Sequence, residues 1–420
     1  MQNKVTNWYK LDNAAKVYPP LSAKDKYDIY CLSFIMKEPV QPKKLQQAVN
    51  QVLNRFACYK VKLKRGFFWY YLENNDKEYI VKKESKSTFL PIDANENNGY
   101  IFNITYLSNK ITMGMSHILT DGIGCLNFFK AIIFRYLQLC GKNITNNKNI
   151  IEITTPVQEG EISDDYKTYY NHDADKLEKE DKSYIIKGTT NPEKRYNHFV
   201  LRMPTEQLIA LAKKYNATIT AFLSALIAYS IYKGQAENQK ARNKTIKVFV
   251  PVNLRNLFPS VTMNNFVGYF RTSHDFKNPV SFEELLEITK SQMQNKITKE
   301  YLNSSFGSNV ELERNVFLRL APLFIKDLAL KVGYNLLSDA LHTASLSNLG
   351  NADLPEEMNE YVDSIVFYAS AEKKGQFNVN MISACGVTNI SLAKYYQETE
   401  IEQYFIKFLT DNKINLTYIS

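Results

Sequence analysis

Between Ile101 and Leu139 the spacing of apolar residues changes once. Ile111, Met113, Met115 and His117 share one parity, and Thr112, Gly114 and Ser116 share the other. A period of two is that of a strand. After Gly122 the apolar positions become Leu126, Phe129, Ile133 and Leu137, which is helical spacing. The pattern therefore predicts a strand closing at His117, and a helix opening at Asp121-Gly122 and ending at Gly141. Ile101 to Leu107 and Lys110 to His117 read as a hairpin turned at Ser108-Asn109.

The same reading extends along the chain. Pro42 to Phe56 is amphipathic at helical period, with Leu45, Val49, Val52, Leu53 and Phe56 on one side. Val61, Leu63 and the run Phe67 to Leu72 read as strands, with Arg65-Gly66 as the turn. From Asn143 to Asn191 Asn, Asp, Glu and Lys dominate and the periodicity fades, as expected of a crossover between two folded regions. Beyond it, Pro204 to Tyr215, Ile219 to Tyr232, Phe282 to Tyr301 and Val316 to Leu337 read as helices, the last containing Pro322. Lys247 to Val252 reads as a strand. Asn378 to Ser383 alternates, with Gly386 and a helix after it, and so echoes the strand, turn and helix around His117 without the histidine.

Composition narrows the class. A chain of 420 residues with 45% hydrophobic and 23% charged residues is an ordinary globular chain with room for two or three domains. The net charge is +9, but no block of like charges and no nucleic-acid-binding module is present, so nucleic acid is not an expected partner. A mild positive field suits an anionic co-substrate or an acidic carrier protein. Five cysteines, Cys31, Cys58, Cys125, Cys140 and Cys385, lie scattered without CxxC spacing. This points to a reducing cytoplasm, not to disulfides or zinc. The N-terminus lacks the apolar core of a signal peptide, and the longest apolar stretch, near Phe222 to Tyr232, is too short to span a bilayer.

Chemistry concentrates in Ser116-His117-Ile118-Leu119-Thr120-Asp121-Gly122. A histidine at a strand end is placed where catalytic groups are often displayed. No Gly-x-Ser-x-Gly elbow, phosphate loop, GxGxxG or HExxH occurs, and His172, His198, His274 and His342 show no metal spacing. The bland alternative is a strand-end histidine with Asp121 as a helix cap.

The segment resembles the His-His-x-x-x-Asp-Gly motif of the chloramphenicol acetyltransferase-like superfamily, which includes condensation domains of nonribosomal peptide synthetases, and most of all its alcohol acetyltransferase-like branch. Further likeness lies in Trp8 to Ala15, Gly66 to Tyr71, Val250 to Arg255, Asn264 to Tyr269 and Ser347 to Gly350. The resemblance implies an α/β (α+β) fold of two similar domains, residues 1–180 and 190–420. Each would be a mixed sheet flanked by helices, the two forming a pseudo-dimer around a central tunnel. It implies His117 as general base, with Ser116 in place of the first histidine. Asp121 and Gly122 would shape the loop, with Arg255 as partner of Asp121.

Acyl transfer from a thioester needs a base for the attacking hydroxyl and a donor for the oxyanion, but no metal and no bound cofactor. Ser347 and Asn348 are the candidate oxyanion or substrate contacts, with Ser116 a third. The reading is an O-acyltransferase moving an acetyl or short acyl group from acyl-CoA, its co-substrate, to a small alcohol. The alternatives are a condensation-type protein using a carrier-bound thioester, with an amine acceptor and an acyl carrier protein as partner, and a non-catalytic carrier-docking module.

Overall fold

The computed structural model describes residues 8–22, 26–84, 91–148, 150–172, 174, 177, 180–190, 197–238, 245–337, 341–369 and 376–419. In chain order the first half runs β1 (Trp8–Lys10), α1 (Tyr18–Leu21), β2 (Tyr30–Met36), α2 (Pro42–Arg55), β3 (Val61–Arg65), β4 (Tyr70–Asn74), β5 (Lys82–Lys83), β6 (Phe102–Leu107), β7 (Lys110–Met115) and α3 (Gly122–Leu139). The second half continues with β8 (Asn197–Pro204), α4 (Thr205–Lys214), α5 (Ile219–Gly234), β9 (Thr245–Asn253), β10 (Val267–Asp275), α6 (Phe282–Lys296), α7 (Lys299–Arg314), α8 (Val316–Leu320) and α9 (Leu323–Leu337). It ends with β11 (Ala344–Asn351), β12 (Val362–Tyr368), β13 (Phe377–Ala384), β14 (Val387–Lys394), α10 (Glu400–Asp411) and β15 (Thr417–Ile419).

Two large mixed sheets organise these elements. The first is five-stranded in the order β12-β2-β7-β6-β5; the second is seven-stranded in the order β10-β9-β11-β13-β14-β8-β15. A three-stranded antiparallel sheet, β1-β4-β3, lies apart from both. α2 and α3 cover the first sheet through a core that includes Phe34, Phe102, Phe128 and Phe129. The second core gathers around α5, which is apolar on all sides and buried. That is why its sequence reads as one continuous run and not as a stripe.

The sheets are tied by a strand exchanged in sequence. β12 comes from the C-terminal third yet pairs antiparallel with β2 of the first sheet, Phe367 opposite Leu32. From the second sheet, Asn389 Nδ2 donates to the Ile365 carbonyl at 2.7 Å and Ser391 Oγ to the Phe367 carbonyl at 2.6 Å. β12 thus has its place in one sheet and receives side-chain donors from the other.

Several expectations shift. β7 ends at Met115, two residues short, and His117 occupies the turn between strand and helix. The turn of the β3–β4 hairpin is Gly66 to Trp69, where Gly66 N–H donates to the Trp69 carbonyl at 2.8 Å, so Phe67, Phe68 and Trp69 are turn residues rather than strand. The helical stretches breaking near Thr298 and Pro322 are each two helices. Gly386, at φ +75°, turns the β13–β14 hairpin and does not lead into a helix. The echo is therefore hairpin then helix, β13–β14 then α10, against β6–β7 then α3.

Candidate active site

α3 starts where Asp121 stops the preceding turn. Asp121 Oδ1 accepts from the Ile123 and Gly124 N–H groups at 3.1 and 3.0 Å, capping the helix. Its other oxygen, Oδ2, accepts from Arg255 Nη1 at 2.8 Å and from Phe266 N–H at 2.7 Å. Arg255 sits just past the end of β9 and also donates from Nε to the Thr262 carbonyl at 3.0 Å and from Nη2 to the Asn264 carbonyl at 2.6 Å. The structure brings Asp121 and Arg255 together as an ion pair in which Asp121 is buried and Arg255 partly so. The pair joins the turn after β7 to the segment entering β10.

That segment, Thr262 to Phe266, is the hub of the site. The Met263 carbonyl accepts from Tyr59 Oη at 2.7 Å and from Thr120 Oγ1 at 2.5 Å. Glycine at 124 is required here: a Cβ would fall 2.8 Å from the Met263 carbonyl oxygen and 2.0 Å from Thr120 Oγ1. Gly122 faces the other half of the molecule, and a Cβ there would meet Leu349 Cδ2 at 2.7 Å.

His117 is half-buried between two tyrosine rings, Tyr18 stacked at 5.1 Å between centroids and Tyr30 tilted at 4.5 Å. Its Nδ1 lies 3.4 Å from Asn265 Oδ1. The orientation of that amide follows from its nitrogen, which donates to the His117 carbonyl at 2.9 Å and to Asp12 Oδ2 at 2.9 Å. The oxygen must then face the ring, and Nδ1 carries the proton. Desolvation lowers the His117 pKa from its ordinary 6.5, while Asn265, Asp121 and the Thr120 carbonyl pull the other way.

Asp12 is fully enclosed. It accepts from the Ala15 N–H at 2.8 Å and from both the backbone and side-chain nitrogens of Asn265 at 3.1 and 2.9 Å. Burial nevertheless dominates over these donors and pushes its carboxyl up to about 7, with Asp164 adding repulsion. Neither Asp12 nor Asn265 was assigned a role from sequence. Both lie in segments that carry the family resemblance, and a polar pair such as Asn264-Asn265 directly before an alternating strand is the signal that was there to read.

The other candidates stand differently. Ser116 is buried, and its hydroxyl accepts from the Ile118 N–H at 3.4 Å, so it shapes the turn. Ser347 and Asn348 are half-buried on β11. Asn348 Nδ2 donates to Thr220 Oγ1 at 3.1 Å and its Oδ1 accepts from Gly350 N–H at 2.8 Å. Among the described residues no hydrogen bond joins either residue to His117. It is their neighbour Leu349 that reaches the motif, at Gly122. Among the described residues no cluster of His, Cys, Asp and Glu is arranged to hold a metal.

Residues 105–412 match the family model for alcohol acetyltransferases. The chain belongs to the alcohol acetyltransferase family. It is accordingly an O-acyltransferase by family, and the fold agrees. TRI101 of F. sporotrichioides, solved with coenzyme A and T-2, matches with a TM-score of 0.61 at 11% identity, over 99% of this chain and 100% of that one. Polyketide synthase associated protein 5 of Mycobacterium tuberculosis matches with a TM-score of 0.60 at 12% identity, over 96% and 97%. The first condensation domain of the CDA synthetase matches with a TM-score of 0.59 at 11% identity, over 99% and 100%. These likenesses establish the two-lobed condensation and acetyltransferase fold. No curated protein sequence matches the chain.

Proposed function

We propose that this alcohol acetyltransferase-family enzyme moves an acetyl or short acyl group from acyl-CoA to the hydroxyl of a small alcohol, with His117 as general base. The observation that carries the reading is the fixed imidazole. Asn265, locked by Asp12 and by the His117 carbonyl, holds the proton on Nδ1 and leaves the lone pair on Nε2. That nitrogen takes the proton from the acceptor hydroxyl as its oxygen attacks the thioester carbonyl. The tetrahedral intermediate collapses, the carbon–sulfur bond breaks, and the imidazolium returns the proton to the leaving thiolate. The products are an ester and free CoA. Ser347 and Asn348 are the proposed donors to the oxyanion, and reaching it requires Asn348 to leave its present partners.

The donor and acceptor are proposed to approach from different ends of a tunnel between lobes spanning residues 1–180 and 190–420. The half-buried imidazole and the contact of Leu349 with Gly122 support a site at that junction. Coenzyme A bound to TRI101 supports the donor. The likeness to condensation domains supports the second reading, a carrier-bound thioester. The five cysteines, scattered without CxxC spacing, support a reducing, cytoplasmic setting. Incubation with acetyl-CoA and a panel of alcohols and amines, following thiol release, tests the reading. Release that depends on an alcohol supports it; release with no acceptor in the panel, or with amines alone, contradicts it.

A further inference from the structure

α9 is turned inside out. Two of its charged residues, Lys326 and Asp327, face the protein: Lys326 Nζ donates to the Phe68 carbonyl at 3.0 Å and lies 3.6 Å from the Trp69 ring centroid. Asp327 Oδ2 accepts from Tyr70 Oη at 2.9 Å and from Arg65 Nη2 at 3.2 Å. Its apolar residues face solvent at helical spacing, Phe324, Ile325, Leu328 and Val332, with Leu328 64% exposed. The preceding α8 buries no residue at all, and its Phe317 is 84% exposed. Phe67, 70% exposed, extends the patch from the β3–β4 turn, and its carbonyl accepts from Leu323 N–H at 2.9 Å. A contiguous apolar surface of this kind on a folded protein marks a binding face.

The rim of this face carries one sign of charge. Within 64–69 and 314–332, the exposed charged residues are Lys64, Arg65, Arg314, Arg319 and Lys331, all basic. The single acid in these stretches, Asp327, is turned inward to Tyr70 and Arg65. An apolar helix face with aromatic rings beside it and cations around it complements an anionic lipid surface, where rings settle at the headgroup level and Lys and Arg meet phosphate. Among the described residues no helix is long and apolar enough to cross a bilayer, so the contact would be in plane.

We propose that α8, α9 and the Gly66–Trp69 turn form a docking surface for an anionic lipid bilayer. The surface lies next to the site. α9 packs on α1, and Tyr18 of α1 stacks on His117. An apolar alcohol dissolved in the bilayer would therefore be delivered beside the proposed base.

Flotation of the purified full chain with mixed phosphatidylcholine–phosphatidylglycerol vesicles, and with phosphatidylcholine alone, tests the surface without any reference to turnover. The chain should float with the anionic vesicles, and less so at high salt. Phe317→Glu combined with Leu328→Glu, at solvent-facing positions that leave the cores intact, should lower partitioning at least about tenfold. Arg319→Ala and Lys331→Ala should each lower it about fivefold on anionic vesicles alone. Unchanged circular dichroism and melting temperature would show that the variants fold. Failure of the wild-type chain to float would overturn the proposal, as would variants that float equally well. A wild-type dimer that the double Glu variant converts to monomer, with no vesicle binding by either, would overturn it too, and would assign the face to a second copy of the chain.

Discussion

At the scale of single residues, His117 serves as a base only while its imidazole is neutral. Burial lowers its pKa below the ordinary 6.5, so the neutral form persists at neutral pH and somewhat below. The acid limb of kcat/KM should therefore fall below pH 6.5. Asn265 accepts from Nδ1 and favours the charged ring. Asn265→Ala should move that limb to still lower pH and reduce kcat/KM on the order of ten- to a hundredfold through lost orientation. An unmoved limb would deny Asn265 its positioning role.

Asp12 has the opposite sign of shift. Its folded carboxyl, near 7 against an ordinary 3.8, holds its proton more tightly than the unfolded chain does. Its contribution to stability is whole below about 3.8 and is lost as pH rises through about 7. Asp12→Asn should flatten the stability profile between those values. A difference from wild type that does not vary with pH would contradict this. Sequence reading singled out His117 and Asp121 through a local motif, and Arg255 through the family resemblance. It passed over Asp12 and Asn265 because their roles exist only once residues 253 positions apart are in contact.

At the scale of elements, the turn between β7 and α3 is held by one carboxylate and one glycine. Asp121 and Arg255 pair with each other, so Arg255→Ala should destabilise by up to roughly 3–5 kcal/mol, the cost of leaving the buried Asp121 charge unpaired, and Asp121→Ala should also destabilise by removing the helix cap and the pair. In the double variant the two losses should be far from additive. Additive losses in a denaturant titration would mean that the pair is not energetically coupled. Gly124→Ala forces a methyl against the Met263 backbone carbonyl and should cost about 1–3 kcal/mol. Gly122→Ala meets only the flexible end of Leu349 and should cost less. Equal melting temperatures for the two would count against the packing described. α2, α3 and the β6–β7 hairpin were legible because each shows its own period in sequence, and α5 because its unbroken apolar run is longer than a strand. The Phe67-Phe68-Trp69 turn was not, because three aromatic residues in a row read as strand; there the rings line the turn beside α9.

At the scale of the whole molecule, the pairing of β12 with β2 was invisible, since nothing local tells a strand to join a sheet formed some three hundred residues earlier. The two-lobed plan itself was legible from resemblance, and the family match and shared fold support it. The segment entering β10 and Leu349 of β11 both reach the turn that presents His117, and the proposed activity depends on what that imidazole does. The most direct measurement is thiol release from acetyl-CoA, with a productive alcohol, by wild type and by His117→Ala at equal concentration and with matching circular dichroism. The variant should retain the fold and lose turnover by on the order of a hundred- to ten-thousand-fold. A folded His117→Ala enzyme that turns over at near the wild-type rate would contradict the account.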